Sequence, residues 1–398
     1  MKTRLFKVVG GLAALALVAA GCAGEDSGSA SKDGEYRVLV LGGISAEGPL
    51  ADNASTSVLS AKAGVALVNA NGGIDGRKVK LEVLDDQADP TVAVTKLREA
   101  IAKGKPDLVL NSGPSTVADA TLPILKQNSI LSFNIGPTAT SADPKANPLN
   151  FDISAGAQDQ LDAFPPYFEE KGYSKVGILH GSSSYGEVYG AAAEKTLDGA
   201  GLDVVANEEY DVAALDMTAQ LEAIRAKNPD ALVLDAYGAP LGYVLKGIEK
   251  LGWKVPIVGN TSVAATSLIS TEPPSGVLGT PATENLVMQV YTSTAYDAAD
   301  TAVVDLVTRM KEIDEIKSTL ILAYNNDALA LVQAAAEEAG STDPKKLAEA
   351  LLDPKVQEAA DTAVIGTYRF TADKHSAQPG PEEFTFIAPG PIKDGQFH

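Results

Sequence analysis

Few residues in this 398-residue chain have the type and spacing that covalent chemistry requires. Its three histidines, His180, His375 and His398, are scattered, and Cys22 is the only cysteine. No Gly-x-Ser-x-Gly elbow, phosphate-cradling loop, His-Glu-x-x-His pair or Cys/His cluster occurs. Gly42-Gly43 lacks the rest of a dinucleotide fingerprint. The acidic group Asp85, Asp86 and Asp89 has the density of a cation site, yet its place after an apolar run reads as a solvated loop and helix cap. These residues predict a non-enzyme with no metal and no cofactor. What the chain offers instead is hydrogen bonding. Segments 42–53, 111–116, 134–138, 180–185, 235–240 and 259–262 are rich in Gly, Ser, Thr, Asn and Tyr, with few charges. Neutral dipoles of this kind suit the capture of a small solute.

The elements that must position these segments form a loose duplication. The first copy reads as strand 37–41, helix 54–70, strand 78–84, helix 91–103 and a strand within 105–113. The second reads as strand 175–179, helix 187–198, strand 202–207, helix 215–227 and a strand within 228–238. Continuous Val/Leu/Ile strands alternating with alanine-rich amphipathic helices predict parallel sheets covered on both faces. The fold class is therefore α/β, with two Rossmann-like lobes. In the last third, 278–281 reads as extended, 298–312 and 320–340 as helices, and 364–370 and 384–388 as strands. The helices would complete the first lobe and the last strands return to the second. Crossings near 150–154, 276–281 and 361–365 then make a three-strand hinge. The lobes so defined are 35–153 with 279–363, and 154–278 with 364–398. Ligands of open parallel sheets sit beyond the carboxyl ends of the strands, where the polar segments lie. Ser45 and Glu47, in the first of them, would stand at the cleft mouth.

The N-terminus carries an address. Lys2, Arg4 and Lys7 precede an apolar run from Val8 to Ala20, too short to span a bilayer, followed by Gly21 and Cys22. Residues 1–21 read as a signal peptide. Cys22 after Ala-Ala-Gly resembles a lipobox cysteine, lipidated to become the mature N-terminus, although Ala19 stands where Leu is commoner. Residues 22–34 are Gly/Ser-rich, as a flexible tether would be. The expected location is the extracytoplasmic membrane face. With Cys22 lipidated no disulfide is available, so stability must come from a packed core, which a chain of this length can build. Net charge is −20, and loss of the three signal-peptide cations takes it to about −23. Such a balance argues against nucleic acid and anionic lipid, which need clustered Lys/Arg. A mean hydropathy of +0.02 is that of a globular protein.

Asn69-Ala70-Asn71-Gly72-Gly73-Ile74-Asp75-Gly76-Arg77 and Leu84-Asp85-Asp86-Gln87-Ala88-Asp89-Pro90 resemble the leucine/isoleucine/valine-binding proteins of ABC importers. Leu179-His180 with Tyr185-Gly186-Glu187, and Arg369-Phe370 with Asp373-Lys374-His375, extend the likeness along nearly all of the mature chain. The resemblance implies a type I periplasmic binding protein whose lobes close over a small molecule and present it to permease subunits. Carried over by position, Ser115, with Ser112 and Gly113 before it, would hold a ligand carboxylate. Gly136 and Thr138 would supply a second hydroxyl segment, and Tyr185 and Tyr237 would close from the other lobe. Hydroxyls and helix N-terminal amides can satisfy an anion without a buried cation.

Three departures bear on the ligand. Thr261 stands where amino-acid binders of the family place an acid for the ligand's ammonium, and an unpaired buried ammonium is costly. Asn53 stands near the place of a first-loop aromatic residue, and the family's disulfide has no counterpart. Asp235 or Glu47 would have to replace the missing acid. The expected ligand is therefore an amino acid, an aromatic or aliphatic carboxylate, or an amide, bound by a monomer. The competing function is a sensor on the same fold that signals to a partner protein without transport.

Overall fold

The computed structural model describes residues 34–398, so the signal peptide, Cys22 and the tether as far as residue 33 lie outside it. The first unit runs β1 (Tyr36–Leu41), α1 (Pro49–Ala70), β2 (Val79–Leu84), α2 (Pro90–Lys103), β3 (Leu108–Asn111), α3 (Ser115–Gln127), β4 (Leu131–Asn134) and β5 (Asn150–Asp152). Its sheet is wholly parallel, in the order β2-β1-β3-β4-β5. Val38, Leu39, Val40, Leu108, Val109 and Leu110 are inaccessible, as strands covered on both faces must be.

Local chemistry sets the element ends. Asp89 caps α2 by accepting from Thr91 N and Val92 N at 2.7 and 3.0 Å, with Pro90 in the first turn. This is the cap expected of the acidic group. Asp86 differs from that reading, being buried with its carboxyl pushed up to about 6 by desolvation. The Asn-Gly-Gly-Ile-Asp-Gly motif is a turn between α1 and β2. Asn69 pairs with both backbone groups of Val79, and Gly73, at φ 84°, lies so close to Arg77 O that any Cβ would clash. Arg77 then grips Asp107 with two 3.0 Å bonds.

The second unit follows with α4 (Ala157–Leu161), α5 (Phe164–Lys171), β6 (Lys175–Gly181), α6 (Ser184–Gly199), β7 (Asp203–Tyr210), α7 (Thr218–Arg225), β8 (Ala231–Leu234), α8 (Ala239–Lys250), β9 (Ile257–Gly259), α9 (Thr261–Ala264) and β10 (Leu286–Tyr291). The chain continues through α10 (Thr301–Ile313), α11 (Tyr324–Ala339), α12 (Pro344–Ala350), α13 (Pro354–Ala359), β11 (Phe384–Ile387), β12 (Ile392–Lys393) and β13 (Gln396–Phe397). The second sheet has the order β11-β10-β9-β8-β6-β7, parallel except for β11. In both sheets the first strand has the second on one side and the third on the other, which creates a crevice at the carboxyl ends.

The last third departs from expectation. The expected return to the first lobe at 279 falls instead after Tyr291, because β10 pairs in parallel with β9. Segment 278–281 is turn, leading into a short 3-10 stretch, Pro281–Thr283. Helices α10 and α11 do pack on α1 of the first lobe, where Gly64 lets α11 approach. Segment 364–370, expected as a strand, forms none. The backbone N–H groups of Ala363, Val364 and Ile365 donate to the buried Asp327 carboxylate at 2.8, 2.9 and 3.2 Å, so a ladder cannot use them. Nor does all of 364–398 join the second lobe. Phe370 packs against Phe133 and Phe151 of the first sheet, and Ser376 bridges Asp152. Only β11 enters the second sheet, and the β12–β13 hairpin lies against Ser293–Tyr296 and Leu320.

Candidate functional site

A cavity of about 410 Å³ lies between the carboxyl ends of the two sheets. The first lobe contributes Gly113–Thr116 after β3 and Ile135–Pro137 after β4. The second contributes Gly181, Ser183 and Tyr185 after β6, Asp235 and Tyr237 after β8, and Thr261 after β9. Ile321, Leu322 and Tyr324, at the entry to α11, supply an apolar wall.

On the first-lobe side the cavity presents hydrogen-bond donors. Helix α3 begins at Ser115, and the amides of Ser115 and Thr116 have no acceptor among the described residues. Gly136 backs this helix end so closely that a Cβ would lie 2.7 Å from Ser115 N. The Ser115 hydroxyl accepts from Tyr185 N at 3.3 Å, a contact across the lobes, and its own hydrogen has no acceptor among the described residues. A second cross-lobe bond joins Ser184 Oγ to Asp119.

The second-lobe side is organised by Gln160 of α4. Its Oε1 accepts from the Thr261 hydroxyl at 2.8 Å, and its Nε2 donates to the Tyr185 hydroxyl at 2.8 Å. Burial holds Tyr185 well above the ordinary tyrosine range and pushes Tyr237 up to about 12, so both phenols stay neutral. Asp235 is the one charged-type side chain in the wall among the described residues, with no Lys, Arg or His beside it there. It is 4% exposed, and Asn260 Nδ2 donates to it at 2.8 Å. Desolvation raises its pKa, against hydrogen bonds from Asn260 and Ser262 and the nearby His180.

Of the residues expected at the site, Gly113, Ser115, Gly136, Tyr185, Tyr237 and Thr261 line the cavity. Four do not. Ser45 and Glu47 are exposed outside it, with Ser45 N bonded to Asp85. Ser112 is buried behind the wall, accepting from Asn325 Nδ2 at 2.8 Å. Thr138 closes a turn, its hydroxyl accepting from the amides of Thr140 and Ser141. His180 packs beneath Gly190, and His398 stacks on Tyr296. Sequence reasoning missed Gln160, Ser154 and Tyr324. Ser154 Oγ is buried in the wall without a hydrogen-bond partner. Ser154 and Gln160 follow the first crossing and Tyr324 opens α11, and none of the three carried a local signal.

A family model described as periplasmic binding protein matches residues 35–380. The chain belongs to the periplasmic binding protein family. The Leu/Ile/Val-binding protein of Escherichia coli K12 is 26% identical over 249 residues, covering 62% of this chain and 67% of that protein. A Leu/Ile/Val-binding protein homologue of Brucella melitensis is 25% identical over 341 residues, covering 84% and 88%. The family likeness read from the motifs is thus borne out. Among solved structures, a type 1 periplasmic binding protein from Bordetella pertussis superposes with a TM-score of 0.74 at 20% identity, covering 89% of this chain and 96% of that one. As a periplasmic binding protein the chain is a receptor and not an enzyme, and its family works outside the cytoplasm. No helix among the described residues is long and apolar enough to cross a membrane.

Proposed function

We propose that this periplasmic binding protein is the lipid-anchored solute receptor of an ABC importer, taking a small amino acid in the interlobe cavity. The observation that carries this reading is the pairing of two unlike poles in one cavity. Free helix amides and the Ser115 hydroxyl face a ligand carboxylate, and Asp235 faces its ammonium. Asp235 thereby takes the part that Thr261 cannot, since Thr261 is bonded to Gln160. A buried carboxylate gains most from a ligand that brings the missing positive charge. Tyr185, Tyr237 and Tyr324 would enclose the ligand's body with flat faces. Binding would favour the closed arrangement through contacts made to both lobes, and the permease would recognise that form. The receptor would act as a monomer, tethered through Cys22 on the extracytoplasmic face of the cell membrane.

The test is a thermal-shift screen of residues 23–398 with amino acids, the matching carboxylates without an amino group, and amides. A ligand at a hundred times its dissociation constant adds about 2.7 kcal/mol, a visible shift. Stabilisation by amino acids supports the two-pole reading. Stabilisation only by ligands lacking an amino group removes Asp235 from recognition. Loss of uptake of the same ligand on gene deletion supports transport, and intact uptake favours the sensing role.

A further inference from the structure

A second cavity, of about 370 Å³, lies at the opposite end of β4 and β5 from the cleft. Strand direction places it there: its wall includes Ile130, just before β4, and Leu149 and Asn150, where β5 begins. Helix α3 closes one side with Leu122 and Leu125, and α12 with the turn after it closes the other with Ala348 and Leu352. The volume is within the range of small-ligand sites and close to that of the interlobe cavity. His375 forms part of the wall; it is 4% exposed, its Nδ1 bonds Asn150 O at 3.1 Å, and its ring stacks on Phe151 at 4.3 Å. Burial lowers its pKa, which keeps this wall neutral.

The rim carries charge of the opposite sign to the molecule. Lys126 and Lys345 line the edge and are exposed, and neither has an ion-pair partner among the described residues. Glu349 is the one carboxylate among the lining residues, and the helix-capping carboxylate of Asp343, which accepts from Lys345 N at 3.0 Å, is not among them. In a chain of net charge −20, two unpaired lysines over an apolar hollow form a local site for a single negative charge. Apolar walls capped by cations match a molecule with an apolar body and an anionic end.

We propose that this back cavity is a second ligand site, which takes a small amphipathic carboxylate with its body against Leu125 and Leu352 and its charge at Lys126 and Lys345. It is separate from the interlobe cavity and does not rest on the function proposed for that cavity.

Isothermal titration of residues 23–398 with octanoate tests this. The titration is done in a Ser115→Ala/Tyr185→Ala background, so that the interlobe cavity is impaired. Saturable one-to-one binding is expected there. Lys126→Gln/Lys345→Gln, at exposed positions that leave the fold intact, should weaken octanoate binding roughly three- to tenfold. Ala348→Trp should fill the hollow and abolish it, and octan-1-ol, lacking the charge, should bind more weakly than octanoate. Absence of octanoate binding in the background variant overturns the proposal. So does binding that neither the lysine pair nor Ala348→Trp affects.

Discussion

Asp327 and Asp235 are both buried aspartates whose pKa desolvation raises, yet they sit in regions of different kinds. Asp327, in α11, meets the segment from Ala363 to Tyr368. Three consecutive backbone amides and the Tyr368 hydroxyl, at 2.9 Å, converge on it, with Asn326 Nδ2 at 3.3 Å. Its acceptors are filled by the fold. Asp235 also has protein donors, but one side of it forms the wall of a cavity. A buried charge enclosed by donors from distant chain segments holds a structure together. One that borders an opening can hold a ligand.

The comparison is most severely tested by removing Asp327. Asp327→Ala leaves three amides and a phenol without their acceptor, so the loss should reach at least about 3 kcal/mol, read as a fall in the urea midpoint. Little change would mean that this segment is held by something else. Asp235→Asn should leave the midpoint within about 1 kcal/mol while costing about 2–5 kcal/mol of amino-acid binding. Equal losses of stability and affinity would make the two aspartates alike and end the distinction.

Ser115→Ala and Tyr185→Ala should each weaken ligand binding by about 1–3 kcal/mol in titration calorimetry, from a lost anion contact or lost packing. Thr138→Ala, by contrast, should cost about 1 kcal/mol of stability with affinity unchanged, because its hydroxyl serves a turn. A fall in affinity for Thr138→Ala would restore it to the site.

A further effect concerns pH. Burial pushes Asp152 up to about 7, against bonds from Ser141, Asn134 and Asn150. A carboxyl whose pKa is higher folded than unfolded binds more protons in the folded state between the two values. Stability should therefore fall as pH rises from about 4 to about 7. Asp152→Asn should flatten that slope in melts across the range, and an unchanged slope would assign it to other groups.

Much of the first 260 residues was legible because the signals are local. Apolar strand runs, Asp89 before Pro90 and the Asn-Gly-Gly turn each act within a few residues. The loops holding Ser115 and Tyr185 were found by that order. Beyond β9 the helices α10 and α11 and the strand β11 were still legible, but the crossings and two strand assignments were not. Leu286-Val287-Met288-Gln289-Val290-Tyr291 had the pattern of a strand, but the Nε2 of its interior Gln289 finds its acceptor in Gln160 O, more than a hundred residues away. Segment 364–370 had β-branched and aromatic residues of strand type and lost its ladder to Asp327. Gln160, which links Tyr185 to Thr261, carried no recognisable sign at all.

The sequence by itself determined the two α/β units, the helix caps, the family and the polar loops beyond the strands, because periodicity and capping act between near neighbours. Only the tertiary structure decided where the chain crosses between lobes, which hydroxyls face the cavity and which aspartate borders it. Those outcomes depend on whether a buried polar group finds its donors, and here the donors come from parts of the chain that only folding brings together.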